Sequence, residues 1–409
     1  MKKLPFRFAF VFVILLIITI PFEHTYIPDM GKCVSPYFEY LVRLSGRYLF
    51  NIGHKYIFQI ISDSTGMYLH VFNLFVLALL GGFIWGIIDK KLNSYQKLLA
   101  GFMIVIRYYL AIQLLDYGFN KVFKWQFYTP EPNTLFTTLG NTPHDLLYWS
   151  TMGISYSYTV FLGVIEVIAG ILLLFRKTTL LGALLSIAVL VNVLLINFSY
   201  DISVKVYCSF LLLLSALIIL PNLKSLFIFF FKSENNPGSS SLHYEYPKQF
   251  RILYLTCKTL VILFILFDGL SDYVKAKNFN DDLAPRPLFH GAYHVSSFIE
   301  NHDTLPPLET DKYRWKRMFI HRRGYLIIQF MDESMRDYMF SADTIHKAFY
   351  YGTKNDTLLN HLNYEKVNDS TLRLSGCIKG DSIQINLKKI DLSKLPVFQT
   401  QFHWTIDQY

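Results

Sequence analysis

Long apolar runs and short alternating ones divide this chain into two kinds of structure. Seven apolar runs, at about 6–22, 68–88, 98–121, 154–175, 178–197, 202–220 and 252–272, are each bounded by charge or by Pro and Asn. A helix needs roughly 20 apolar residues to cross a bilayer core, so each run qualifies or nearly qualifies as a span. The first ends in Ile20-Pro21-Phe22-Glu23, which offers no small-residue cleavage site, and is read as a retained span rather than a signal peptide. After Lys275 the pattern changes. In Asp381–Ile390 the residues Ile383, Ile385 and Leu387 alternate with polar neighbours, as in a strand with one buried and one wet face. Similar runs at 291–299, 314–321, 324–331, 335–342, 346–351, 371–376 and 398–405 predict a small antiparallel barrel or sandwich.

The fold class expected is therefore a membrane all-α helical bundle of about seven transmembrane helices plus a C-terminal antiparallel β domain. Residues 1–97 hold the first two spans and an amphipathic stretch between them. Within that stretch Tyr37, Leu41, Leu44 and Tyr48 share one helical face, with Glu39, Arg43 and Arg47 grouped on another. The pattern suits a helix lying in the membrane interface, and equally a small helix packed over the bundle. Residues 98–225 form a four-helix core, 226–251 a linker whose 233–247 stretch is polar and turn-rich, 252–275 the last span, and 280–409 the β domain.

Composition agrees with this division. Of 409 residues, 52% are hydrophobic and only 17% charged, too apolar for an ordinary soluble chain. The formal charge of +9 does not point to nucleic acid, because Lys and Arg fall mainly in short loops between spans. Placing the N-terminus in the cytoplasm puts Lys2, Lys3, Arg7, Lys90, Lys91, Lys97, Arg176, Lys177, Lys224, Lys232, Lys248 and Arg251 there too. An odd number of spans then exports the C-terminal domain, the arrangement of a multi-pass inner-membrane protein with a periplasmic β domain. Four scattered cysteines (Cys33, Cys208, Cys257, Cys377) make neither a disulfide framework nor a zinc site, though Cys33 and Cys377 would share the oxidising side.

Ionisable groups at membrane depth are costly and mark pairs, cavities or chemistry. Arg107 lies roughly 13 Å from the inner end of its span and Glu166 roughly 18 Å from the outer end of the next, at 1.5 Å per residue. The matching depths predict an Arg107–Glu166 ion pair, either functional or merely fixing helix register. Nearer the outer surface, Tyr109, Gln113, Asp116 and Asn120 form a polar stripe on one helical face, followed by Lys121. Asn192 and Asn197 end the fifth span, and Asp201 is placed to cap the sixth and to pair with Lys205 four residues on. These groups would line an outward-opening pocket for a headgroup or quinone ring, or simply bond the helices together.

At these positions the chain resembles a known family. Arg107 with Gly118-Phe-Asn-Lys121 on one helix, then Gly163-Val-Ile-Glu166 through Gly170 to Arg176 on the next, resembles the DoxX family of bacterial membrane proteins. Asn197-Phe-Ser-Tyr-Asp201-Ile-Ser-Val-Lys205 resembles the outer turn of its longer Bacteroidetes-type members. The resemblance covers about 98–225 and implies a four-helix membrane core related to the small subunit of thiosulfate:quinone oxidoreductase. It implies a quinone or lipid ligand and a role in redox or envelope homeostasis, but fold likeness does not carry activity with it.

The β domain shows little chemistry: Arg314-Trp315-Lys316, His321-Arg322-Arg323 and Phe402-His403-Trp404 are basic and aromatic, and His290 and His294 lack further ligands at metal spacing. No phosphate loop or nucleophile elbow is present in the sequence, so the catalytic residues are unknown. If the chain is an enzyme, it is a component of a quinone-linked oxidoreductase. The competing expectation is a membrane-anchored assembly protein whose exported β domain binds a protein partner.

Overall fold

In the computed structural model the chain is described over residues 3–20, 30–53, 58–89, 95–231, 250–353, 360–378 and 380–399. The linker 233–247 and Phe402-His403-Trp404 lie outside the described residues. Two compact units emerge, one of residues 1–126 and 157–280, the other of 127–156 and 281–409.

The first unit is helical. It contains α1 (Lys3–Thr19), α2 (Met30–Leu44), α3 (Thr65–Ile88) and α4 (Gln96–Val122), and later α7 (Tyr156–Leu174), α8 (Thr179–Ser199), α9 (Lys205–Ile219), α10 (Leu223–Phe231) and α11 (Arg251–Ala276). Among the described residues six helical stretches are long and apolar enough to cross a membrane, with α9 and α10 running on as one. The chain is a multi-pass membrane protein. The first of the seven expected spans, α1, has 17 residues. At 1.5 Å each it measures about 25 Å, short of a hydrocarbon core of roughly 30 Å. It is nevertheless packed into the bundle: the backbone of Phe8 lies against Gly82 of α3, and Phe6, Val13 and Leu16 join one continuous apolar core. Arg7 ties its start to the α3–α4 connection through Tyr95 Oη (2.8 Å from Nε) and the Asp89 carbonyl (3.2 Å).

α2 buries Val42 against Phe58 and Leu69, not the face that carries Tyr37 and Tyr48. Those two tyrosines are 75% and 81% exposed, which leaves an aromatic surface suited to the membrane interface.

Small residues set how α4 and α7 meet. A Cβ on Gly118 would fall 2.9 Å from the Gly163 carbonyl oxygen, and one on Gly163 would fall 2.6 Å from that of Gly118. Two turns further along, Gly170 abuts Leu115 and the carbonyl of Ala111. The backbones touch along this seam, as small residues permit in membrane bundles, and the antiparallel register is fixed by it. At the far end of α4, Phe123 and Trp125 pack on Tyr273 of α11 with ring centroids 4.6 and 4.7 Å away, and Trp125 donates to the Asn278 carbonyl at 3.1 Å.

Among the described residues the second unit contains α5 (Pro132–Leu135), α6 (His144–Ile154) and nine strands: β1 (Gly291–Glu300), β2 (Asp303–Thr304), β3 (Trp315–Ile320), β4 (Tyr325–Phe330), β5 (Met335–Asp343), β6 (Ala348–Gly352), β7 (Asn360–Asn368), β8 (Thr371–Ile378) and β9 (Asp381–Ile390). Eight of them close an antiparallel barrel, with β9 returning to β1 from Ala292↔Ile390 to Glu300↔Ile383, while β2 extends β1 at its edge. Closure removes the unpaired edges of the main sheet. The interior is filled by Phe298, Met318, Ile328, Phe349, Leu374, Ile385 and their neighbours, as expected for a barrel of this size.

Two differences from expectation follow from outward faces. Residues 127–156 belong with the barrel rather than with the bundle stretch 98–225, because Phe136 stacks on Phe319 outside the barrel wall at 5.8 Å. Ala292 and Ile327 share that covered patch. β7 was not anticipated, since only Leu362 and Tyr364 of its nine residues are buried and the rest are wet. Of the expected strand 398–405, Phe398 ends a short helical turn and 400–405 lie outside the described residues.

The α4–α7 seam yields a test. Gly118→Val is expected to lower the bundle's stability by about 2 kcal/mol through overpacking, whereas Gly101→Ala on the same helix, where a Cβ meets open space, is expected to leave it unchanged. Thermal unfolding of both variants in one detergent checks this.

Candidate functional site

The polar centre of the bundle is built on the α4–α7 seam. With Gly118 set against Gly163, Lys121 comes to lie beside α7 and its Nζ donates to Glu166 Oε2 at 2.7 Å. Both side chains are almost fully buried, 7% and 5% exposed. Glu166 is therefore paired, but with Lys121 and not with Arg107. The register explains the correction: Gly170 lies level with Ala111 and Leu115, which places Arg107 level with the end of α7, eight residues or about 12 Å from Glu166. Arg107 instead extends its guanidinium to Thr179 Oγ1 at 3.4 Å and covers the Tyr108 ring.

The predicted stripe on α4 divides. Tyr109 and Gln113 face α9, where Tyr207 Oη donates to Gln113 Oε1 at 2.5 Å. Tyr207 has a single hydroxyl proton, so Tyr109 is the donor in the 3.2 Å contact between the two tyrosines. Tyr117 extends this polar level: Lys121 Nζ lies 5.5 Å from its ring, and the ring lies 6.4 Å from that of Tyr207. Asp116 and Asn120 are half-buried, and Asn120 bonds back to the Asp116 carbonyl at 3.0 Å, along its own helix. Cys208 is buried on α9 and its thiol reaches the Leu190 carbonyl; all four cysteines are free thiols.

The outer turn is arranged differently from expectation. Asp201 does pair with Lys205 at 2.8 Å, but its side chain is 88% exposed and its backbone is left-handed (φ 51°). Asp63 caps α9 instead, accepting from the backbone N–H groups of Lys205 (2.8 Å) and Val206 (2.9 Å). A carboxylate there satisfies two of the orphan donors at a helix start and complements its dipole. Asn197 is buried with its Nδ2 unpaired, whereas Asn192 is exposed on the bundle surface and does not join the centre. Lys121, Glu166, Tyr109, Gln113 and Tyr207 thus converge from three helices, while Arg107, Asp201 and Lys205 do not join them. Tyr207 and Asp63 were missed by sequence reasoning. Asp63-Ser64-Thr65 before an apolar run carries a capping signal, but it reads as a cap for α3, whose N–H groups Ser64 does serve.

The second unit holds a separate buried ion cluster. Glu131, 3% exposed just before α5, accepts from the Arg322 guanidinium, from the Arg322 backbone N–H (3.0 Å) and from His290 Nε2 (3.2 Å). Arg322, in the β3–β4 turn, also pairs with Asp281, donates to the Thr129 carbonyl and lies 4.0 Å over the Tyr128 ring. Burial pushes the Glu131 carboxyl up, but hydrogen bonds from His290 and Arg322, with the guanidinium charge, outweigh it and hold the group at about 2. Burial lowers His321, with Glu131 pulling the other way. His290 also lines a groove of about 420 Å³ at one barrel end, with Gly291, Ser370, Lys389, Asp391 and Leu392. Among the described residues no group of three His, Cys, Asp or Glu side chains is arranged to hold a metal ion.

No family model matches the chain. No solved structure matches it either. An uncharacterized protein of Bacillus subtilis (strain 168), YwoB, is 37% identical over 101 residues, covering 24% of this chain. The match spans 62% of that protein's own length.

Two outcomes test these sites. Lys121→Ala is expected to destabilise the bundle by about 3 kcal/mol, because it strands a buried carboxylate, while Arg107→Gln leaves the Lys121–Glu166 coupling intact in a double-mutant cycle. For Glu131, a carboxyl held near 2 in the fold and at the ordinary 4.5 in the unfolded chain contributes fully above 4.5 and is lost as pH falls towards 2. That contribution amounts to about 3 kcal/mol. In the full chain, peptides covering 315–330 are expected to lose protection from hydrogen exchange over that window, when pulse-labelled at a common pH. Glu131→Gln is expected to remove most of that dependence.

Proposed function

We propose that this chain is a DoxX-like protein of the bacterial inner membrane whose bundle binds an isoprenoid quinone or a lipid and supports redox or envelope homeostasis. The observation that carries the reading is the buried Lys121–Glu166 pair with the Gln113–Tyr207–Tyr109 chain beside it. Charged and hydroxyl groups this deep in a membrane bundle are expensive, and are kept where they meet a ligand or a proton path. The chemistry suits a ligand with carbonyl or hydroxyl groups. The Lys121 ammonium supplies donors, Glu166 accepts, and the two tyrosine hydroxyls can donate to a ring oxygen after one rotation each. The distribution of Lys and Arg supports a cytoplasmic N-terminus and a periplasmic barrel.

A second reading, a membrane-anchored assembly protein, is favoured by the filled barrel interior. A barrel filled by side chains recognises partners through its outer surface and ends, and the groove beside His290 is one such place.

Mass spectrometry of organic extracts separates the two. Protein purified in native membrane patches is expected to retain a quinone or a defined lipid near one per chain, and a Gln113→Leu/Tyr207→Phe variant is expected to lose it. Equal, bulk-like lipid in both would sink the quinone reading. The barrel surface would then be where function is sought.

A further inference from the structure

The bundle carries a second set of charges, half-buried at Arg107 and Lys258 and exposed at Arg176, at the end opposite the Lys121–Glu166 centre and separate from it. α7 hands over to α8 through the turn 175–178, which carries Arg176 and the exposed Lys177, and two further cations reach this turn from other helices. Arg176 is in the turn itself. Arg107 reaches it from α4, its Nη1 on Thr179 Oγ1 at 3.4 Å. Lys258 reaches it from α11, its Nζ 5.5 Å from the Phe175 ring, and is within electrostatic range of both arginines.

Like charges brought together beside apolar helices repel, and the repulsion is least screened where the dielectric is low. Among the described residues no carboxylate lies within ion-pair range of Arg107 or Lys258. The Arg107 Nε is buried and donates to nothing. An arginine that leaves a buried donor open, in a cluster of its own sign, is arranged for an anion that arrives from outside the chain. Arginine and lysine differ usefully here. The guanidinium offers a planar fork for a phosphate, and the ammonium a compact point charge.

The surroundings identify the kind of anion. Phe175 and Leu181, on either side of the turn, are 45% and 58% exposed, and Val105 on α4 and Val261 on α11 are exposed as well. Lys258 lies seven residues into α11, about 10 Å from its start, between exposed Leu255 and Leu260. The cations therefore sit where apolar helix surface begins. A free phosphate would gain nothing from that surface, whereas an amphiphile would lay its acyl chains along it.

We propose that Arg107, Arg176 and Lys258 form a binding site for the phosphate of an anionic phospholipid, in the leaflet at the α7–α8 turn.

The test uses the full chain in nanodiscs of phosphatidylcholine, alone or mixed with phosphatidylglycerol, and native mass spectrometry of the lipids that stay bound on release. Phosphatidylglycerol is expected to be enriched among the retained lipids over its share of the disc. In Arg107→Gln/Lys258→Gln that enrichment is expected to fall about thirtyfold, since each juxtamembrane cation contributes about 1 kcal/mol and about 1.4 kcal/mol is a factor of ten. Lys258→Arg keeps the charge and is expected to keep the enrichment, which separates loss of the site from loss of folding. Added inorganic phosphate is expected not to displace the lipid. Equal retention of the two lipids by wild type would overturn the proposal. So would wild-type enrichment in the double variant, or displacement by inorganic phosphate alone.

Discussion

The close contact of α4 and α7 governs the bundle. Gly118 and Gly163 bring two backbones to a distance that any side chain would prevent, and Gly170 continues the seam. Sliding one helix along the other by a turn would drive Cβ atoms into carbonyl oxygens, so the register has one solution. That solution decides the electrostatics. Lys121 falls within reach of Glu166, and Arg107 is carried beyond it to the next turn of the chain. Steric exclusion between small residues, rather than attraction between charges, chooses which cation neutralises the buried carboxylate.

The barrel unit is organised around the opposite principle, with a charge cluster where the bundle has a bare seam. Glu131 brings the segment before α5 onto the β3–β4 turn through Arg322, and Phe136 seals the neighbouring wall against Phe319. The carboxylate is costly to bury, and three donors offset that cost. The apolar contact supplies area, while the ion cluster supplies a defined position.

Much of this architecture was readable from the sequence because its signals are local. Spans announce themselves by length, and β3, β4, β8 and β9 by alternation or by apolar runs. Tyr325-Leu-Ile-Ile-Gln-Phe330 even breaks alternation, the mark of a strand covered on both faces. Its cover was not readable, because Phe136 lies almost two hundred positions away and nothing in the local pattern links them. The polar centre was half legible. Glu166 and Lys121 stood out as charges in apolar runs, but counting depth from span ends assumed that neighbouring helices begin level. The Gly118–Gly163 seam shows that they do not. Tyr207 was missed because a tyrosine near a span end is unremarkable until its hydroxyl is seen on Gln113.

The segment 127–156 has a consequence for the order in which the protein is made. Glu131 and Arg322 are separated by 191 positions, with four membrane helices synthesised between them. During synthesis Phe136 and the Glu131 carboxylate therefore precede every strand they will cover. The segment waits without its partner until the last third of the chain has appeared. Such a long-range closure is slow to form and leaves apolar surface open meanwhile. The barrel unit is thus a late event that completes an early segment. A C-terminal fragment starting at residue 281 would contain every described strand and still lack the apolar cover of its own wall.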